Sequence, residues 1–283
     1  MFNSLPNFLI IGSEKAGTTS IASTLNRQNS IFIPKIKEIH YFSHHWEKGL
    51  DWYKKYFPKN NNLILGEASP SYSDYPLINK VPKRIYETIP HVRLLYVVRN
   101  PIDRLISQYR HCLYRNWIPK HFTLEEAIEN SPQLIDSGKY YFQIQQYLEY
   151  FSNKQIKVLC IEDMLKDPEY FGSVYEFIGL KNPNKGKFVV NNETDQKVIV
   201  PKYLEFARKN NILRTMLGTY HREGLLINRY YNVMKLFSRK KIPHPVISNK
   251  FKEKLINMYL PDIKMLSEYQ KTDYIKKWRF DNK

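Results

Sequence analysis

Short apolar runs recur along the chain at 8–12, 63–67, 93–98 and 156–161. Each has the length of a buried strand and leaves enough chain before the next for a helical crossover. That spacing predicts an α/β fold with a central, mainly parallel sheet covered by helices on both faces, in three layers. Apolar residues at helical spacing mark helices over about 18–27, 101–115, 123–130, 139–151 and 168–179, the last introduced by Asp167-Pro168. Farther on, Leu213, Met216, Leu217 and Tyr220, then Leu255, Met258 and Tyr259, repeat the helical period, so a helical C-terminal cap region is expected over about 203–283. No Gly/Ser linker, repeat or low-complexity tract interrupts the chain, and residues 1–283 are expected to form one domain.

In open α/β sheets ligands gather beyond the carboxyl ends of the strands. The first run empties into Gly12-Ser13-Glu14-Lys15-Ala16-Gly17-Thr18-Thr19 ahead of a helix. The two glycines permit positive φ, and the amides at a helix N-terminus face an anion along the helix dipole. Lys15, Ala16, Gly17, Thr18 and Thr19 therefore read as a phosphate cradle in a P-loop-like fold. It is not a Walker A sequence, because the lysine stands two residues before the second glycine instead of directly after it.

The third run ends in Arg99, Asn100-Pro101 breaks it, and a helix begins that carries Ser107 two turns along. A Mg-dependent P-loop NTPase would place an aspartate for the metal at such a strand end. A guanidinium there grips a phosphate bidentately instead, and Ser107 adds a hydroxyl to the same group. Two separate anion sites follow, with no metal expected. Glu67 ends the second run and is expected to converge with Lys15 and Arg99, or to hold its loop through backbone bonds.

Composition adds less. The 42% hydrophobic content supports a core, and the net charge of +17 attracts polyanions. No recognition-helix, zinc-finger or RNA-binding-sheet signature accompanies the charge, so nucleic acid is not expected as a partner. No apolar run reaches the roughly 18–20 residues of a membrane span, and residues 1–7 lack a signal-peptide layout, which makes a cytoplasmic location the expectation. Cys112 and Cys160 lack zinc-site spacing and read as reduced packing residues. The basic, aromatic stretch 229–241 fits an ordinary packed helix with a solvated basic end, a cap over an acceptor, or a helix touching anionic lipid.

Between the two anion sites lie Pro34-Lys35-Ile36-Lys37-Glu38-Ile39-His40-Tyr41-Phe42 and Gly66-Glu67-Ala68-Ser69-Pro70-Ser71-Tyr72, and Phe177-Ile178-Gly179-Leu180 comes later. Together with the loop and the Arg99–Ser107 pair, these segments resemble the PAPS-dependent sulfotransferases (PAPS is 3′-phosphoadenosine-5′-phosphosulfate), closest in motifs to the heparan-sulfate-type and related bacterial enzymes. The resemblance covers roughly residues 8–180. It implies sulfuryl transfer from PAPS to a hydroxyl or amine of a carbohydrate or small-molecule acceptor, with adenosine 3′,5′-bisphosphate (PAP) as product. It further implies that Lys15 and the loop hold the 5′-phosphosulfate, that Arg99 and Ser107 hold the 3′-phosphate, and that Glu38 is the base with His40 as orienter or alternate base. The chain departs from the heparan-type pattern at Ala68, where a lysine is usual, and lacks the late Lys-Gly-Arg nucleotide loop. Lys197 stands in the comparable region as a substitute contact. With +17 overall, the acceptor is allowed to be anionic. Two other classes fit parts of the pattern: a nucleotide-dependent kinase or NTPase, disfavoured by the displaced lysine and by Arg99, and a non-catalytic basic protein that binds a glycan or nucleotide. Trp52, Tyr53, Tyr72 and Tyr230-Tyr231 fit either ring stacking on an acceptor or core packing.

Overall fold

The computed structural model of the chain describes residues 5–36, 38–59, 62–181, 183, 188, 242 and 244–281. Five strands, β1 (Phe8–Gly12), β2 (Ile31–Phe32), β3 (Ile64–Ala68), β4 (Arg93–Val98) and β5 (Ile156–Cys160), form one sheet in the order β2-β3-β1-β4-β5. Every pairing is parallel, with Phe8 opposite Gly66 on one side and Arg93 on the other. All carboxyl ends therefore face the same edge, and β1 lies at the centre of that edge.

Alternation along the strands divides the interior in two. Leu9, Ile11, Leu65, Leu94, Tyr96, Val98 and Val158 belong to one buried cluster. Phe8, Ile10, Ala68, Leu95, Val97 and Leu159 belong to the other. Strands buried on both faces read as unbroken apolar runs, which is why they were visible in the sequence.

The helices in chain order are α1 (Thr18–Leu25), α2 (Tyr41–His44), α3 (Leu50–Lys54), α4 (Val81–Thr88), α5 (Pro101–Arg115), α6 (Leu124–Asn130), α7 (Gln133–Asp136), α8 (Tyr140–Leu148), α9 (Ile161–Lys166), α10 (Gly172–Ile178), α11 (Asn249–Gln270) and α12 (Tyr274–Lys277). The expected helix over 101–115 has those bounds. The one expected over 168–179 divides into a 3-10 turn, Pro168–Phe171, and α10. Strand β2 escapes a sequence reading because two residues carry no periodicity, and α9 escapes it because its first residue, Ile161, continues the apolar run of β5.

Leu255, Tyr259, Ile263 and Leu266 of α11 are fully buried in the same cluster as alternate residues of β4. Asp262 of α11 accepts from the backbone amides of Tyr141 and Phe142, at 3.1 and 2.8 Å, and so caps the start of α8. Burial pushes its carboxyl up to about 6 despite these donors. The late helices thereby lock α8, which supports the strand end carrying Arg99. Of the cap region expected over about 203–283, residues 203–241, with the helical pattern at 213–220 and the basic stretch 229–241, lie outside the described residues, and α11 and α12 are its described part.

Candidate active site

The loop after β1 is fastened before it turns. Ser13 donates to the carbonyl of Val97 through both its amide and its hydroxyl, each at 2.9 Å, tying the loop to the end of β4. Gly12 has φ 155°, and a Cβ there would lie 1.9 Å from Ser73 Oγ, so the turn after β3 can approach this closely only because the residue is a glycine. Gly17, at φ 103°, is the N-cap of α1 and contributes no side-chain cap, and no acidic residue occupies the first turn. An amide-rich helix start without an internal anion is the arrangement that the cradle motif implied. Lys15 itself adopts φ 66°, a conformation uncommon for a side-chain-bearing residue.

The backbone at Arg99 and Asn100 is held by partners from several elements. The Tyr140 hydroxyl of α8 donates to the Arg99 carbonyl at 2.6 Å. The next residue, Asn100, donates its amide to Glu162 Oε1 of α9 at 2.8 Å and its side-chain nitrogen to the Trp278 carbonyl just past α12 at 3.3 Å, and its side-chain oxygen caps α5 by accepting from the Ile102 amide at 3.0 Å. Among the described residues no carboxylate forms a salt bridge with the Arg99 guanidinium.

The segment from Glu38 to His40 hangs between β3 and α2. The Glu38 amide donates to the Ala68 carbonyl at 3.1 Å, and the His40 amide donates to Ser69 Oγ at 3.0 Å. Glu38 and His40 both have left-handed backbones, φ 68° and 55°. Such outliers persist only where surrounding bonds over-determine them. His40 Nδ1 lies 2.6 Å from Ser71 Oγ, which in turn stands 2.8 Å from Ser43 Oγ. His44 lines the same space, and burial, with His40 and His45 nearby, lowers its pKa.

Glu67 corrects its sequence reading. It lies within β3, not beyond it, is 2% exposed, and is absent from the cavity wall. Its partners are side chains instead of backbone: Ser69 Oγ donates to Oε1 at 2.5 Å, Tyr72 to the same oxygen at 2.7 Å, and Tyr53 to Oε2. Burial raises the Glu67 pKa while the three hydroxyls pull it back. Burial also drives Tyr53 and Tyr72 well above the usual phenol range, which keeps them donors. Because Ser69 spends its proton on Glu67, its lone pairs are left to accept from His40 N–H. Tyr53 and Tyr72 are thus core residues, not stacking platforms.

Lys15, Ala16, Gly17, Thr18, Thr19, Glu38, His40, Arg99 and Ser107 all line one cavity of about 1190 Å³ at the carboxyl edge of the sheet. Lys197 lies outside the described residues. A sulfotransferase-domain family model matches residues 5–223. The chain belongs to the sulfotransferase family.

Among curated relatives of this sulfotransferase, the membrane-associated sulfotransferase kil1 of Dictyostelium discoideum is 32% identical over 143 residues, which cover 47% of this chain and 29% of that protein. Human heparan sulfate glucosamine 3-O-sulfotransferase 6 is 28% identical over 201 residues, 67% of this chain and 56% of that protein. The chain thus spans between about a third and somewhat over half the length of these relatives. A crystal structure of a sulfotransferase from Alicyclobacillus acidocaldarius shares the fold, with a TM-score of 0.67 over 97% of this chain and 99% of that one at 22% identity. No helix among the described residues is long and apolar enough to cross a membrane.

Several cavity residues of the sulfotransferase escaped the sequence reading. Glu14, Asp74, Arg110 and Glu162 line it, and Ser71 supports His40. Cys112 and Cys160 are both buried. The signal for a buried polar network was nonetheless present: Arg104 and Gln108 fall on the same helical stripe as apolar Leu105 and Cys112, where a solvated side chain is out of place.

Proposed function

We propose that this chain moves a sulfuryl group from PAPS to a hydroxyl or amine of a carbohydrate or small-molecule acceptor by in-line displacement. The single observation behind this reading is the confluence of Lys15 with its amide-rich loop, Arg99 with Ser107, and Glu38 with His40 in the lining of one cavity. At about 1190 Å³ it exceeds the roughly 300–1,000 Å³ typical of a pocket for one drug-sized ligand, so donor and acceptor fit together.

PAPS supplies an electrophilic sulfur on a phosphate leaving group. Lys15 and the amides and hydroxyls of Gly17, Thr18 and Thr19 stabilise the charge that builds on the departing 5′-phosphate. Arg99 and Ser107 grip the 3′-phosphate and so fix the distance between the two anion sites. Glu38 takes the acceptor proton as its oxygen or nitrogen attacks, and His40, 3.7 Å away and held by Ser71, orients that carboxylate. The heparan sulfate relatives support a carbohydrate hydroxyl or amine as the acceptor class. An acceptor that is itself anionic suits the net charge of +17.

Calorimetric titration with PAP, ADP and ATP, with and without Mg²⁺, tests the donor assignment. Metal-independent preference for PAP is expected, weakened roughly 30-fold in Arg99→Ala while ADP binding is unchanged. Preference for ATP with Mg²⁺ would instead favour a kinase or NTPase.

A further inference from the structure

Helix α5 buries two polar side chains one turn apart. Arg104 is fully buried and Gln108 is 5% exposed. The Arg104 guanidinium donates to Gln108 Oε1 at 2.5 Å and to the Leu134 carbonyl. A guanidinium only donates, so the amide must turn its oxygen toward Arg104 and its nitrogen away. That nitrogen donates to Glu14 Oε2 at 3.0 Å, across 94 positions of sequence. The cation therefore dictates which way the amide faces, and cation, amide and carboxylate form a chain of aligned dipoles.

Glu14 stands immediately before Lys15 in the anion-binding loop and lines the cavity. A carboxylate there repels a multiply charged donor, which makes it an odd choice for a binding contact. It makes sense as an anchor. Holding the Glu14 side chain pins the peptide that leads into the left-handed Lys15. The anchor point, Gln108, directly follows Ser107, so one rigid helix carries both the hydroxyl proposed for the 3′-phosphate and the clamp on the 5′-phosphosulfate loop.

We propose that Arg104 and Gln108 are positioning residues that clamp Glu14, holding the Lys15 loop in register with Ser107. Its kinetic consequence rests on the sulfotransfer reading above, whereas its structural consequence does not. Glu14→Ala removes the clamp without exposing the buried arginine, and Glu14→Gln removes the charge yet keeps an oxygen to accept from Gln108. Amide hydrogen exchange of the 12–19 segment in nucleotide-free protein should quicken roughly tenfold in Glu14→Ala, the loss of one hydrogen bond to a charged group, and stay near wild type in Glu14→Gln. Gln108→Leu should add little to Glu14→Ala in the double variant. Turnover should be lower in Glu14→Ala than in Glu14→Gln. Equal exchange in Glu14→Ala and wild type, or equal acceleration in the two Glu14 variants, would overturn the clamp, the latter because it would show that charge alone matters. The expected exchange pattern in a wild type that fails to bind PAP would keep the clamp and sink the donor assignment instead.

Discussion

His40 Nε2 stands 3.7 Å from Glu38 Oε2, and both residues are held in left-handed backbone at the end of a hydrogen-bonded path that begins at buried Glu67. The path runs from the Glu67 carboxylate through the Ser69 hydroxyl to the His40 amide. A short segment with two unfavourable φ values is thus fastened from a rigid strand, which suits a pair whose geometry must be kept through a reaction.

Glu38→Gln keeps the shape of this pair and removes its basicity. Turnover is expected to fall by roughly 10²–10⁴ while PAP affinity stays at the wild-type level. Steady-state kinetics beside calorimetry separate the two quantities. Transfer at the wild-type rate would show that another group, with His40 first in line, takes the proton.

Glu67→Gln tests the support below. The carboxylate accepts three hydroxyl donors, and an amide offers one oxygen and turns two N–H groups toward hydroxyls that are already committed. A stability loss of about 2–3 kcal/mol is expected, read from urea midpoints at constant slope. An unchanged midpoint would mean that the network re-forms around the amide and that the carboxylate is not its keystone.

Asp74 links stability to pH. Burial, reinforced by the Glu14 carboxylate, pushes its carboxyl up to about 7. A native pKa above the unfolded value of about 4 means that the folded protein binds more protons between those limits, so this group's contribution to stability declines as pH rises through that window. Asp74→Asn stays neutral throughout. It should be more stable than the wild type by about 1–2 kcal/mol at pH 8 and lose that advantage at pH 4. A difference independent of pH would assign the effect to packing.

How much of this was legible beforehand differs by element. The loop from Gly12 to Thr19 and the Arg99-Asn100-Pro101 break announce themselves because their chemistry is local: a glycine at positive φ, a helix start and a proline each act within a few residues. The four longer strands are visible for a related reason, since burial on both faces leaves an unbroken apolar run. Strand β2, only Ile31–Phe32, exists through its pairing with Ile64 and Leu65 and has no signature of its own.

The amino-acid sequence by itself determined the parallel α/β frame and marked the two strand ends proposed to hold anions, because backbone preference and hydrophobic period are properties of neighbouring residues. Tertiary structure alone decided that Glu67 would be a buried acceptor of three hydroxyls, that Asn100 would be gripped by α9 and the turn after α12, and that Gln108 would reach Glu14. Those roles depend on partners up to 178 positions away. Whether a polar side chain meets water or a buried partner is settled only when the surfaces around it close.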